Sequence, residues 1–131
     1  MTPDVPLLSI CIPTFNRAEL LEVCLATVLP QVAQFANEVE CVVSDNASSD
    51  RTVVVLAESA KSFPIRVVRN AENIGIIANI TKCVAELARG EFVLLMGDDV
   101  QRNQVGSIAL AENHQNSFKD RKSTRLNSSH G

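Results

Sequence analysis

The chain has 131 residues, enough for one domain at most, and its 12 Lys and Arg against 15 Asp and Glu leave a formal net charge of -3. That balance gives no electrostatic reason to expect nucleic acid as a partner, and 46% hydrophobic residues mark a foldable globular chain. No run reaches the roughly 18 apolar residues of a membrane span, and the N-terminus has no basic-then-apolar signal segment.

"LLSICI" (Leu7–Ile12) is a nearly continuous apolar run, expected as a strand and broken by "PTFNR". A helix is expected from about Ala18 to Phe35. Leu21, Cys24, Leu25, Val28, Leu29 and Val32 recur there at three- and four-residue spacing, with Pro30 expected to kink or shorten it. "VECVV" (Val39–Val43) reads as the second strand and ends at the polar cluster "SDNASSD". A second helix is expected over roughly Arg51–Ala60, with Ser49 or Asp50 at its cap. "IRVVR" (Ile65–Arg69) reads as the third strand, followed by the loop "NAENIG" and a helix over about Ile77–Ala88, closed by Gly90. "FVLLM" (Phe92–Met96) reads as the fourth strand, ending at "GDD", and a last helical stretch covers roughly Val105–Asn113.

Strands alternating with helices, and apolar on both faces, imply an α/β fold: a parallel sheet covered by helices. In such open sheets ligands bind beyond the carboxyl ends of the strands. The clusters "PTFNR", "SDNASSD" and "GDD" all fall there.

Residues 1–6 read as an N-terminal extension and 7–119 as the domain. The remainder, 120–131, breaks with what precedes it: periodicity stops, and Asp120 to His130 read like the translation of a common sequencing-library adapter. The tail is therefore expected to be artefactual and disordered. Cys11, Cys24, Cys41 and Cys83 show no CxxC spacing and lie inside apolar segments, so buried free thiols in a reducing compartment are expected.

Two readings of "GDD" stand side by side. Adjacent carboxylates at a strand end repel each other and ionise most easily near a cation. Asp99 would then ligate a hard divalent ion, with Asp98 turned toward a sugar or ribose hydroxyl. Alternatively the segment is a turn whose carboxylates cap a helix. In "SDNASSD", Asp45 comes first past the strand and can accept from a base N–H or a ribose hydroxyl, while Asn46 and Ser48 close the turn and Asp50 favours a helix N-terminus. "IPTFNR" offers backbone groups held by Pro13, the Thr14 hydroxyl and Arg17, a segment able to frame a nucleobase; Arg17 equally suits a solvated first turn. In "NAENIGIIANITK", Asn73 and Gly75 suit unusual backbone angles, and Asn79 either meets ligand or braces the loops. No GxxxxGK[ST] or GxGxxG is present, and neither His114 nor His130 has the neighbours of a Ser–His–Asp arrangement. Phe15, Phe35, Phe63, Phe92 and Phe118 read as core or edge packing.

With "LLSICIPTFNRAELLEVCL", "ECVVSDNASSDRT", "RNAENIGIIANI" and "ARGEFVLLMGDD" in that order, the chain from about Leu7 to Asn116 resembles the N-terminal half of a family 2 glycosyltransferase. The wording "SDNAS" and "LMGDD" is similar to members that extend lipopolysaccharide or capsule-type glycans, abequosyltransferase-like ones among them. The resemblance implies the glycosyltransferase-A fold, whose Rossmann-like half, a parallel sheet with helices on both faces, binds a nucleotide-sugar. It also implies transfer, by inversion, from a nucleotide-diphosphate sugar to a glycan or lipid-linked acceptor, with Mg2+ or Mn2+. By the same resemblance, the backbone around Pro13 and Phe15 lines the nucleobase pocket. Asp45 holds the base edge or ribose, Asn79 lies near the sugar-diphosphate, and "GDD" stands at the family's DxD motif with Asp99 as metal ligand. Gly97 replaces the first Asp of that motif, and Val100 departs from relatives reading "GDDD".

The family supplies its catalytic base and acceptor pocket from a following half, so no base is assigned. A lone nucleotide-binding half is expected to expose apolar surface, to be marginally stable, to bind donor weakly or undetectably and to transfer nothing. Cytoplasmic location is expected, with the full-length enzyme working peripherally at the inner face of the plasma membrane if it builds surface glycans. The alternatives are a metal-dependent nucleotidyltransferase, which should carry a Gly-rich basic loop where "PTFNRAE" stands, and a degenerate scaffold domain.

Overall fold

A computed structural model describes residues 5–35 and 37–99; the expected helix over 105–113, the tail, Val100, His114 and Phe118 lie outside the described residues. The elements run β1 (Leu8–Thr14), α1 (Ala18–Ala33), β2 (Val39–Asp45), α2 (Thr52–Ser62), β3 (Ile65–Arg69), α3 (Ile76–Thr81) continuing as a π-helix (Lys82–Leu87), and β4 (Phe92–Leu95). The strands form one sheet in the order β3-β2-β1-β4, every pair parallel.

Each face of β1 and β2 buries alternate residues, which is why both strands read as unbroken apolar runs. Ile10, Ile12, Cys41 and Val43 meet the α1 stripe and Val55 and Leu56 of α2 on one face. Cys11 and Val42 meet Cys83, Val84, Leu87 and Ala88 of the π-helical segment on the other. The helices thus cover both faces, as expected.

Departures from the expected boundaries have local causes. β1 and β2 run past their apolar segments because Pro13 pairs with Ser44 and Thr14 with Asp45 in the ladder. Pro30 does not stop α1: it is exposed, like Ala26, so the carbonyl its missing N–H would have met is left on the solvent side, and the helix continues to Ala33. α2 ends at Ser62 because Phe63 precedes Pro64 and is driven to extended backbone, φ -136 and ψ 148. The third helix widens after Thr81, closing with an Ala88 N–H bond to the Cys83 carbonyl at 3.0 Å. The wider turn keeps Cys83 and Ala88, five apart, on the one face that meets the sheet.

Gly90 does lie just past the helix end, but not in left-handed backbone: among the described glycines only Gly75 has positive φ. Gly90 is needed for close approach, because a Cβ there would lie 2.7 Å from the Ser9 backbone nitrogen and 2.9 Å from the Leu8 carbonyl carbon. Gly90→Ala is therefore expected to cost about 1–3 kcal/mol, as overpacking does, and to lower the urea midpoint without changing the slope. A midpoint equal to wild type would show that β1 and β4 can part locally without loss.

β4 lies at the sheet edge with Val93, Leu94 and Leu95 43%, 44% and 46% exposed, and Ile76 and Ile77 are also exposed. Apolar side chains are thus exposed on both β4 and α3 among the described residues. No helix among the described residues is long and apolar enough to cross a membrane.

Candidate functional site

The chain steps from β1 to β2 to β3 toward one edge and then crosses back to place β4 on the other side of β1, so the strand order reverses between β1 and β4. The carboxyl ends of these two strands are the topological switch point where open α/β sheets hold ligands.

Asn16 follows β1 in left-handed backbone (φ 50), a conformation Asn tolerates better than most residues. Its side-chain oxygen accepts from the Ser49 and Asp50 N–H groups at 2.7 and 3.2 Å, and its own N–H donates to Ser48 Oγ at 2.9 Å. Asp50 accepts from the Ala18 N–H at 3.1 Å, the Thr52 N–H at 2.9 Å and the Thr52 hydroxyl at 2.5 Å. One carboxylate thereby serves the starts of both α1 and α2 and ties the first two rim loops together. The helix-start role expected of Asp50 is found, doubled.

Asp45 is 1% exposed and turned inward. One oxygen accepts from Arg69 Nη1 at 2.8 Å and the other from the Ser48 N–H at 3.1 Å. Arg69 also donates to the Ser48 carbonyl at 2.8 Å, closing the loop on itself. Asn46 closes the next turn: its Nδ2 donates to Asn73 Oδ1 at 2.8 Å, and its Oδ1 accepts from Asn70 Nδ2 and the Ile74 N–H, both at 2.9 Å. Asn79 is buried and committed. It accepts from the Ser44 hydroxyl at 2.7 Å and Asn70 Nδ2 at 2.9 Å, and donates to the Ser44 carbonyl at 3.0 Å. Of the two roles open to Asn79, bracing engages its oxygen and one N–H of its amide.

A cleft of about 330 Å³ opens at the switch point. Pro13, Thr14, Phe15 and Arg17 line it from the β1 side, and Gly97, Asp98 and Asp99 from the β4 side. Asn46, Ile76, Asn79 and Ile80 form the remaining wall. The cleft thus gathers Pro13, Thr14, Phe15, Arg17, Asn79, Asp98 and Asp99 from the sequence-derived set and leaves out Asp45. Ile76 and Ile80 were missed; their four-residue spacing within "IGIIANI" was the available signal.

The cleft's electrostatics centre on Asp98. It is 7% exposed; its Oδ2 accepts from the Thr14 hydroxyl at 2.8 Å, and its Oδ1 lies 3.4 Å from Arg17 Nη1. Asp99 is more open, its Oδ2 3.8 Å from the same nitrogen. Burial, reinforced by the neighbouring Asp99 charge, raises the Asp98 pKa above the ordinary value, against the downward pull of Thr14 and Arg17.

All four cysteines are free and buried, as expected. Burial, then the Asp98 and Asp99 charges, pushes the Cys24 thiol up to about 11, and burial pushes Cys41 up to about 12. Neither is a nucleophile at neutral pH.

Among the described residues no group of three or more His, Cys, Asp or Glu is gathered for a metal ion. Asp98 Oδ1 and the Asp99 carboxylate nevertheless fit a hard divalent cation as a partial donor set. They are hard oxygen donors beside an open cleft, held only by a long contact to one guanidinium nitrogen.

The sequence model described as glycosyl transferase family 2 matches residues 9–104. The chain is 38% identical over 95 residues to the abequosyltransferase of Salmonella typhimurium, covering 71% of this chain and 28% of that protein. A mannosyltransferase from Pyrobaculum calidifontis, solved with GDP-mannose and Mn2+, superposes with a TM-score of 0.65 at 25% identity, covering 76% of this chain and 30% of that one. Staphylococcus aureus TarS (residues 1-349) gives 0.60 at 22% identity over 85% of this chain and 32% of its own, a likeness of fold. The chain thus spans less than a third of the length of these relatives.

Proposed function

The chain belongs to glycosyl transferase family 2, and from that premise we propose that its switch-point cleft is the donor site of an enzyme moving a sugar from a nucleotide-diphosphate sugar to a glycan or lipid-linked acceptor. The observation that carries the reading is the convergence of Thr14, Arg17, Asp98 and Asp99 on one cleft between β1 and β4. The nucleobase and ribose lie along Pro13, Thr14 and Phe15, and the diphosphate lies toward Arg17 and Asp99. Thr14 fixes the Asp98 carboxylate through one oxygen, leaving the other toward the cleft.

Asp98 and Asp99 would hold Mg2+ or Mn2+, which supplies positive charge against the charge building on a departing diphosphate. Arg17 presents a second, permanently positive donor to the same oxygens. Asp45 acts at one remove, holding the second rim loop in shape through Arg69 and Ser48. Inversion at the sugar carbon needs a carboxylate base near the acceptor hydroxyl, and no described residue takes that role. A surface-glycan acceptor and peripheral work at the cytoplasmic face of a membrane belong to the same proposal; the likeness to an abequosyltransferase supports sugar transfer.

Calorimetric titration with GDP, UDP, CDP and dTDP tests the donor site. At least one is expected to bind in the ~mM range with Mn2+ and about tenfold more weakly with EDTA, Asp99→Asn matching the EDTA result. Multiple-turnover transfer by this chain is expected to be absent. Binding unaffected by EDTA would favour a metal-free scaffold, to which Gly97 at the head of "GDD" lends weight. No binding of any nucleotide would remove the donor-site reading.

A further inference from the structure

We propose that Arg17 is a resident counter-ion for Asp98 and Asp99, which a divalent cation must displace before it can bind and which then turns to the diphosphate. The second half of this inference rests on the donor-site reading; the first half does not. A single guanidinium nitrogen approaches both carboxylates, at 3.4 Å to Asp98 Oδ1 and 3.8 Å to Asp99 Oδ2. Thr14 occupies the other Asp98 oxygen, so the oxygen Arg17 neutralises is the one that remains for a cation.

The contact is made to be given up. It is long, it does not use the guanidinium fork, and the Arg17 side chain is 52% exposed. Pairs of this kind are weak and easily exchanged. Yet the charge is useful: without it, a buried carboxylate and its neighbour would lie side by side at the cleft, with the Thr14 hydroxyl the one neutral donor bonded to Asp98 among the side-chain contacts described. The Arg17 guanidinium would be repelled by a divalent ion at these carboxylates, which would carry twice its charge. Arg17 already lines the cleft, where a diphosphate would offer the planar fork better-matched oxygens. The arrangement makes metal and nucleotide binding support each other, because each completes the exchange the other starts.

A merely structural Arg17 would weaken metal and nucleotide binding alike when removed. A counter-ion gives opposite signs. Mn2+ binding to the 131-residue chain is followed by loss of the free-ion electron paramagnetic resonance signal, without nucleotide. Arg17→Gln and Arg17→Ala are expected to bind Mn2+ about threefold more tightly than wild type, and Arg17→Lys about as wild type. Asp99→Asn should bind none. The Arg17 variants are expected to keep the fold, since the backbone carbonyl that receives the Leu21 N–H is retained, and to melt at or slightly below the wild-type temperature.

Equal or weaker Mn2+ binding by both Arg17→Gln and Arg17→Ala, or no Mn2+ binding by any of these chains, overturns the inference. Nucleoside diphosphate titration at saturating Mn2+ separates the two readings. Loss of about tenfold in affinity by Arg17→Gln supports the handover to the diphosphate. Tighter Mn2+ binding by Arg17→Gln, with no nucleotide bound by wild type, would leave the counter-ion standing and the donor site refuted.

Discussion

Asp98→Asn is expected to melt at the wild-type temperature or up to about 5 °C higher, while losing at least about tenfold in Mn2+-dependent nucleotide affinity. The opposite signs follow from one geometry. Asp98 is buried beside a second carboxylate, and burial followed by the Asp99 charge raises its pKa in the folded chain. A carboxyl whose folded pKa lies above its unfolded value contributes stability below the unfolded value, and that contribution is lost as pH rises through the folded one. At neutral pH the ionised form is therefore held at a cost. The asparagine keeps an oxygen to accept from Thr14, whose bond to Asp98 is 2.8 Å, and removes that cost. It also removes the charge a divalent ion requires. A melting temperature well below wild type would mean that ionised Asp98 is a net structural asset through Arg17, and the site would need reinterpretation.

Asn79→Ala is expected to act in the reverse pattern, lowering stability by about 2–4 kcal/mol, since each buried partner left unsatisfied costs roughly 1–3 kcal/mol. The partners are specific: the Ser44 hydroxyl and carbonyl and the Asn70 amide, all buried, lose their bonds together. Asn70 also ties Asn46 and receives Lys82 Nζ at 2.6 Å, so the loss spreads from α3 to the second rim loop. Urea unfolding measures the change. Nucleotide affinity, measured at low temperature where the variant stays folded, is expected to fall by less than about threefold, because the oxygen and one N–H of the amide are already committed to bracing. A large loss of affinity with stability intact would put Asn79 in direct contact with the donor.

The sheet was legible because β1 and β2 are buried on both faces, and such strands read as unbroken apolar runs in any register. The α1 stripe was legible for the same reason of period. The rim loops were placed correctly at the strand ends, yet their internal wiring was not. Asp45 reads as a ligand-facing carboxylate until β3 is known to pair with β2 in a register that sets Arg69 opposite it. That register is a long-range fact, and no local pattern encodes it. Ala47 sits at φ 63, a conformation that no propensity assigns to alanine, and the surrounding loop bonds impose it. Gly90 shows the converse: a glycine after a helix suggested a cap, whereas its lack of a side chain matters across the sheet, against Ser9. The Thr14–Asp98 pair joins residues 84 positions apart, and only the β1–β4 pairing brings them together.

The most direct measurement is a nitrogen–proton NMR spectrum of the chain with GDP or UDP, recorded as Mn2+ is added in substoichiometric amounts. The paramagnetic ion is expected to broaden the amide signals of Thr14, Gly97, Asp98 and Asp99 first, sparing α2 and the far edge at β3. Uniform broadening, or broadening centred away from the β1–β4 rim, would contradict a cation-assisted donor site between Asp98 and Asp99.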